Sequence, residues 1–146
     1  MLVSADSRGD GAIISERLAH DPWRAGVIIR GNHVLSGSSW SGLHYHLLLN
    51  DAGEIRKYLM DLPIRYILLD ASTVLRPDQK LLEEAMLTDP ADFALMGRFP
   101  IREFTRGYLG EVRVYENRNA GDRRPAVVFV PLGAERGGRI LDYRWH

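Results

Sequence analysis

Apolar residues recur along the first ninety positions with two alternating spacings. Runs of consecutive apolar residues are typical of strands, and stretches with apolar residues three and four apart are typical of amphipathic helices. The predicted strands here are 1–5, 27–29, 43–49 and 64–69, and the predicted helices are 11–20, 51–62 and 77–87. The near-continuous apolar character of 64–69 favours a strand covered on both faces.

The rest of the chain reads as strands and turns. The predicted strands are 93–99, 110–116, 126–130 and 139–143. Within the second of these, Val112 and Val114 alternate with Glu111 and Arg113, which predicts one face in contact with solvent. We therefore predict an α/β fold formed by a single domain over residues 1–146. Its mixed β-sheet has strand–helix units in the first half and an antiparallel meander in the second, with helices packed on the sheet.

Composition narrows the classes of function. The 146 residues match the usual size of one domain. With 19 basic and 19 acidic residues, nothing indicates the basic surface that nucleic acid requires. The chain has no cysteine, which excludes disulfides, thiolate zinc sites and a cysteine nucleophile. No run approaches the roughly 18 apolar residues of a membrane span, and we expect neither a span nor a signal peptide in this chain.

A glycine turn follows the first predicted strand. Gly9 and Gly11, before a helix, suggest a phosphate-binding turn. The dinucleotide fingerprint needs a third glycine where Ile14 stands, and the Lys-Ser/Thr pair of the phosphate loop is missing. A turn capped by Asp10 explains these residues without a ligand, and we expect no cofactor.

Two small groups of polar residues are candidates for binding a metal ion or for acid–base chemistry. His44 and His46 would point to one face of the predicted strand 43–49, with His33 a third candidate, although no acidic residue completes a familiar ligand set. Asp6 and Asp70 each follow a predicted parallel strand, and ligands of open α/β sheets bind at the carboxyl ends of such strands. Aspartates also begin turns by bonding the local backbone, and this structural interpretation is favoured.

The segment 36–42, Ser-Gly-Ser-Ser-Trp-Ser-Gly, is the most distinctive in the chain. Its small residues allow a close approach of the backbone, and Trp40 offers a flat apolar surface to a sugar ring or a peptide. Alternatively, Trp40 plugs the edge of the core. Ser38, Ser39, Trp40 and the following Tyr45 are our candidate ligand-binding residues, together with Asp6 and Asp70. No serine lies in a nucleophile-elbow motif, and no catalytic residue is assigned.

Several segments resemble one family of membrane enzymes. They are 2–6 with 9–11, 27–30 with 34–42 and Tyr45, 64–70, and 112–115. Together they are similar to the soluble C-terminal domain of bacterial polytopic glycosyltransferases of the dolichyl-phosphate-mannose protein mannosyltransferase group. The resemblance spans most of the chain but rests on strand and turn residues.

The resemblance implies a domain at the extracytoplasmic, periplasmic face of the cytoplasmic membrane. The family's catalytic acids lie in an early loop beside its membrane helices, and no segment here corresponds to that loop. Without the resemblance, a cytoplasmic location is expected.

Three hypotheses follow. The leading one is a non-catalytic accessory domain associated with a membrane glycosyltransferase, which binds a glycan, an acceptor or a neighbouring protein such as the membrane-embedded transferase region. The second is a small metal-assisted hydrolase or nucleotide-using transferase, which requires Asp6, Asp70, His44 and His46 to converge. The third is an oligomerising module with an exposed apolar edge along the final strands.

Overall fold

The computed structural model describes residues 1–5, 28–37, 44–71, 74–102, 109–120, 127–131 and 138–142. For 101–102, 109, 127–131 and 138–142 the description covers the backbone. In chain order the elements are β1 (Leu2–Ser4), β2 (Ile29–Arg30), α1 (Gly31–Val34), β3 (Ser36–Gly37), β4 (His46–Leu47), α2 (Ala52–Asp61), β5 (Tyr66–Asp70), α3 (Pro77–Thr88), β6 (Phe93–Arg102), β7 (Leu109–Asn117), β8 (Val127–Pro131) and β9 (Gly138–Asp142). The predicted helix 11–20 lies outside these residues.

One five-stranded mixed sheet organises the fold, in the order β2-β1-β5-β7-β6. Strand β1 runs parallel to both β2 and β5. Strand β7 runs antiparallel to β5 and to β6. An open mixed sheet with helices confirms the predicted α/β class. Strands β8 and β9 pair only with each other in the described chain, as do β3 and β4, so the last two predicted strands do not extend the main sheet.

Helix α2 confirms the prediction over 51–62, and local signals explain its start. The side chain of Asp51 accepts a hydrogen bond from the backbone N of Glu54 at 2.8 Å, which satisfies an otherwise free donor of the first turn. The Glu54 carboxylate in turn accepts from the backbone N of Asn50 at 2.7 Å. Ile55 and Leu59, four residues apart, are both fully buried, as the spacing predicts.

Helix α3 confirms the prediction over 77–87 and continues to Thr88. Pro77 occupies the first turn, where its missing N–H costs no helical hydrogen bond. The buried face contains the expected apolar residues Leu82, Ala85 and Met86, and also the polar residues Asp78 and Gln79.

The core lies between one face of the sheet and helices α2 and α3. Leu2, Ile67 and Leu69 project from β1 and β5 into this layer and are fully buried. Burial of each such side chain contributes about 1.5–3 kcal/mol. On the opposite face, Val3 is also fully buried beside its register partner Leu68. On that face of β5, Leu68 is half-buried and Tyr66 is exposed, so the predicted cover of both faces of β5 is only partial.

One predicted detail of the first half is wrong, and one element was not predicted. The strand 43–49 is reduced to β4, because His44 has a positive φ of 59°, which interrupts an extended backbone. Helix α1, which the sequence does not predict, begins at Gly31 directly after β2, and its Val34 joins the core. This short helix depends on tertiary packing, because its four residues are too few to form a stable helix alone.

The polar positions of β7 do not form the solvent face that the alternation predicts. Tyr115 and Asn117, which share a face with Arg113, are buried against the helical layer. Arg113 forms an ion pair with Glu83 of α3 and bonds Glu111. Arg113 of the sheet is therefore paired with a residue of opposite charge on the helix that packs against it. Val112 and Val114 lie on the other face of β7.

Candidate functional site

The crevice between β1 and β5 is the place where the topology favours a ligand. The chain leaves β1 to form β2 on one side and later returns to form β5 on the other. In open α/β sheets, ligands bind outside the carboxyl ends of parallel strands at such a switch point. Here those ends are formed by Ser4 and Ala5 of β1 and by Asp70 of β5.

The side chain of Gln79 closes this crevice. Its Nε2 donates to the carbonyl of Ser4 at 3.2 Å and to the carbonyl of Asp70 at 3.4 Å. Its Oε1 accepts from the backbone N of Arg76 at 3.1 Å. Since Gln79 is 3% exposed, the strand ends are capped by this amide and not left for a ligand.

Beside Gln79, a buried carboxylate is paired with a guanidinium and a phenol. Asp78 is 0% exposed. Its Oδ1 accepts from Tyr45 Oη at 2.9 Å and from Arg76 Nε at 3.2 Å, and its Oδ2 accepts from Arg76 Nη2 at 3.4 Å. A buried charge is tolerated when it is paired and hydrogen-bonded in this way. We call Tyr45, Arg76 and Asp78 the edge cluster.

Two further bonds fix the edge cluster to the sheet and to α3. Arg76 Nη2 donates to the carbonyl of Ala5 at 3.2 Å, just beyond β1. The hydroxyl of Tyr45 accepts from the backbone N of Asp78 at 3.1 Å while it donates to the carboxylate. The segment that carries β3 and β4 is thereby tied to the first turn of α3.

The phenol of Tyr45 is held as a hydrogen-bond donor, although its side chain is partly in solvent. Burial raises the pKa of Tyr45, and the negative charge of Asp78 raises it further against the opposing backbone hydrogen bond. The residue is nevertheless 39% exposed. Tyr45 therefore has an anchored hydroxyl and an accessible aromatic side chain.

Asp70 contributes its backbone carbonyl, and not its carboxylate, to the contacts of Gln79 at the ends of β1 and β5. It is 8% exposed, and its carbonyl accepts the bond from Gln79. Side chains alternate along β5, so the carboxylate of Asp70 lies on the face opposite to the buried Leu69. Asp6 lies outside the described residues, so the expected convergence of the two aspartates stays a prediction.

His44 and His46 do not share a strand face as predicted, because His44 precedes β4 and has a left-handed backbone. The Nδ1 of His46 lies 3.0 Å from the carbonyl oxygen of His44. Its ring packs over Gly37, where an added Cβ would lie 2.5 Å from Cε1. Within the part of the chain that the structure describes, no three His, Cys, Asp or Glu residues could hold a metal ion.

The remaining predicted residues of the sites lie outside the description, and the structure adds others. Ser38, Ser39, Trp40 and the glycine turn 9–11 are not among the described residues. Arg76, Asp78 and Gln79 are not among the site residues that the sequence predicts. Their sequence signal, Arg-Pro-Asp before a helical stretch, is typical of a helix start. That signal does not reveal that Asp78 and Gln79 face inward.

No family model matches the chain, and comparisons with curated proteins and with solved structures give no match. None of the described helices is both long and apolar enough to cross a membrane. The edge cluster is therefore interpreted from its own geometry. Both oxygens of its carboxylate accept hydrogen bonds from Nε and Nη2 of Arg76, an arrangement that suits a rigid binding surface.

Proposed function

We propose that the chain is a non-catalytic binding domain for carbohydrate, with Tyr45 as its contact surface. The observation that carries the proposal is the exposed side chain of Tyr45, which is fixed by two hydrogen bonds to Asp78. An aromatic ring held in one orientation packs against the apolar face of a sugar with little loss of side-chain entropy.

The closed crevice supports a binding role over a catalytic one. Asp78 accepts three hydrogen bonds and is fully buried, so it is not placed to exchange protons with a bound substrate. The carbonyls at the ends of β1 and β5 are capped by Gln79. A nucleotide at this point would first have to displace Gln79.

Binding of neutral mono- and disaccharides, measured by saturation-transfer NMR and then by calorimetry, tests the proposal. Tyr45→Ala is expected to weaken binding by about ten-fold or more, equivalent to about 1.4 kcal/mol. The matched control is Tyr66→Ala, because Tyr66 is 38% exposed and begins β5, at the opposite end of that strand. No saccharide binding, or equal losses in both variants, would contradict the proposal.

We also propose that this domain serves a membrane glycosyltransferase at the extracytoplasmic face. The support is the resemblance of the strand and turn segments to the C-terminal domain of those enzymes. An antibody raised against the domain should detect a native polypeptide much larger than 16.5 kDa in the membrane fraction. A soluble band near that mass would contradict the association.

A further inference from the structure

The residue directly before Tyr45 has an unusual backbone. Among the non-glycine residues that the structure describes, His44 alone has a positive φ, of 59°. In this left-handed conformation a side chain crowds its own backbone, so the conformation persists where surrounding contacts hold it. Contacts that hold His44 in this state also set the direction in which the chain enters Tyr45.

The side chain of His46 supplies such a contact. Its Nδ1 lies 3.0 Å from the carbonyl oxygen of His44. Because a carbonyl oxygen only accepts hydrogen bonds, Nδ1 carries the proton and donates it to this bond. The bond spans Tyr45, since it joins the side chain of the following residue to the backbone of the preceding one. It therefore restricts the backbone on both sides of Tyr45.

The ring of His46 lies on the neighbouring strand. Gly37 of β3 is the register partner of His46 in β4. A Cβ at Gly37 would lie 2.5 Å from Cε1 and 2.6 Å from Nε2 of the ring, closer than a Cβ approaches other atoms in folded proteins. The lack of a side chain at Gly37 thus allows the ring to occupy the position from which Nδ1 reaches His44.

The far end of Tyr45 is fixed to another element. Its hydroxyl donates to Oδ1 of Asp78 at 2.9 Å and accepts from the backbone N of Asp78 at 3.1 Å. Asp78 is the second residue of α3, a position where the backbone N–H has no acceptor within its own helix. Both bonds require the Tyr45 side chain to leave the segment before β4 in the direction of α3.

We propose that His46 is a positioning residue for the carbohydrate surface. Its bond to His44 holds the left-handed turn, and this turn directs the Tyr45 ring towards the first turn of α3. For its effect on affinity, this inference rests on the proposed carbohydrate-binding function. A ring that is held in advance loses less conformational entropy when a sugar packs against it. His46 acts through Tyr45 and is assigned no contact with the sugar.

The tautomer of His46 in the wild-type chain gives the first test. Nitrogen-15 NMR of the labelled imidazole distinguishes a proton on Nδ1 from a proton on Nε2. At about pH 8, where histidine side chains are mostly neutral, we expect the proton of His46 on Nδ1. A proton on Nε2 would overturn the inference, because Nδ1 would then have nothing to donate to His44.

Two amide substitutions separate this hydrogen bond from the bulk of the side chain. In His46→Asn the amide nitrogen takes the place of Nδ1, whereas in His46→Gln it lies one bond further from the backbone. His46→Gln should weaken saccharide binding by roughly two- to ten-fold, the range that ordering one side chain produces. His46→Asn should bind nearly as tightly as the wild type. Equal affinities for the wild type and a folded Gln variant would overturn the inference.

These variants are expected to fold, because His46 is exposed, and circular dichroism checks this. Gly37→Ala displaces the same ring while His46 itself is unchanged, and it should weaken binding as His46→Gln does. Its matched control is Gly97→Ala in β6, whose Cβ would meet the ring of Phe99 at 3.2 Å. A Gly37→Ala variant that binds saccharide as tightly as the control would contradict the proposed positioning.

The backbone amide of Asp78 gives a readout that needs no sugar. Because it donates to Tyr45 Oη, its hydrogen exchange should accelerate about five-fold or more in His46→Gln and approach the rate in Tyr45→Phe. The amide of Leu48, which donates to the carbonyl of Leu35 at 2.9 Å, is the internal control. A general loss of stability would accelerate both amides alike and would overturn the inference.

Failure of this inference is distinguishable from failure of the proposed function. If the Asp78 amide responds to His46→Gln but no saccharide binds, the positioning of Tyr45 is supported and the carbohydrate function is wrong. If saccharides bind through Tyr45 but the Asp78 amide does not respond, the function is supported and the role of His46 is wrong.

Discussion

Gly31 begins α1 against the end of β1. A Cβ at this position would lie 2.9 Å from the Cβ of Ser4, closer than side chains approach in folded proteins. Ser4 is fully buried, and its Oγ has no hydrogen-bond partner among the residues that the structure describes. Only glycine at position 31 lets the helix lie this close to β1.

We therefore expect Gly31→Ala to destabilise the fold by about 1–3 kcal/mol, the usual cost of overpacking a core. Gly97→Ala is the matched control. Its Cβ would meet the Phe99 ring at 3.2 Å, but that side chain is 56% exposed and free to move. Urea unfolding measures both variants, and a loss no larger for Gly31→Ala than for Gly97→Ala would contradict this account of the packing.

The hydroxyl of Tyr58 on α2 is buried, and no residue in the described part of the chain forms a hydrogen bond with it. Burial raises the pKa of Tyr58 to about 12. The unfolded phenol titrates near 10, so the fold favours the neutral form and its stability falls as the pH rises from 10 to 12.

The Tyr58→Phe variant tests this dependence, because it removes the titrating hydroxyl. Between pH 7 and pH 11, the free energy of unfolding of the variant should fall by about 1 kcal/mol less than that of the wild type. Because no hydrogen bond to the described residues is lost, it should unfold at neutral pH no more easily than the wild type. Thermal unfolding followed at pH 7 and pH 11 gives both comparisons. Parallel losses in the two proteins would refute the role of Tyr58.

Asn117 connects β7 to α2 and to the residue before β5, at the end of the sheet opposite to the edge cluster. It is 2% exposed and ends β7. Its Nδ2 donates to the carbonyl of Leu59 on α2 at 3.0 Å, and its Oδ1 accepts from the backbone N of Asn119 at 3.1 Å. Its backbone N donates to the carbonyl of Arg65 at 2.8 Å.

Substitution of Asn117 by Ala should cost about 1–3 kcal/mol, because it leaves the buried carbonyl of Leu59 without its partner. Asn119→Ala provides the comparison at an exposed position of the same turn and should cost far less. Chemical denaturation of both variants checks this difference. Equal and small losses would show that Asn117 does not connect β7 to α2.

Strand β6 forms an open edge of the main sheet in the described chain, and its sequence limits pairing there. It exposes Leu95, Met96 and Phe99. It also contains Pro100, which lacks an N–H, and a register shift between Leu95 and Gly97. Proline and a bulge are common means of protecting an edge strand from association.

Elements with local signals were predictable, and those that depend on packing were not. Helices α2 and α3 follow from caps and apolar spacing within their own segments. Helix α1 depends on the close packing of Gly31 against Ser4, and the shortened β4 depends on the left-handed backbone of His44. The spacing of apolar residues in the sequence predicts neither feature. In the candidate site, Tyr45 is among the residues that the sequence predicts. Asp70 was predicted for its carboxylate but contributes its backbone carbonyl, and Asp78 and Gln79 required knowledge of which face of α3 turns inward.

At the scale of the whole molecule, the strand order creates a topological switch point between β1 and β5, and side chains of α3 and of the residue before it cover the strand ends there. Helix α3 begins above β1 and β5, so Gln79 and Arg76 cap their last carbonyls. Within the edge cluster, the Tyr45 side chain and part of Arg76 are exposed, whereas Asp78 is buried. The same elements thus stabilise the sheet and form the proposed carbohydrate surface.

Backbone amide NMR of the labelled chain, titrated with methyl glucoside and methyl galactoside, tests the central claim most directly. We predict saturable shift changes at Tyr45, Arg76 and Asp78, with Asn117 and Asn119 at the opposite end of the sheet unchanged. Saturable changes confined to other parts of the chain, or no change with either glycoside, would contradict the claim that the edge cluster binds carbohydrate.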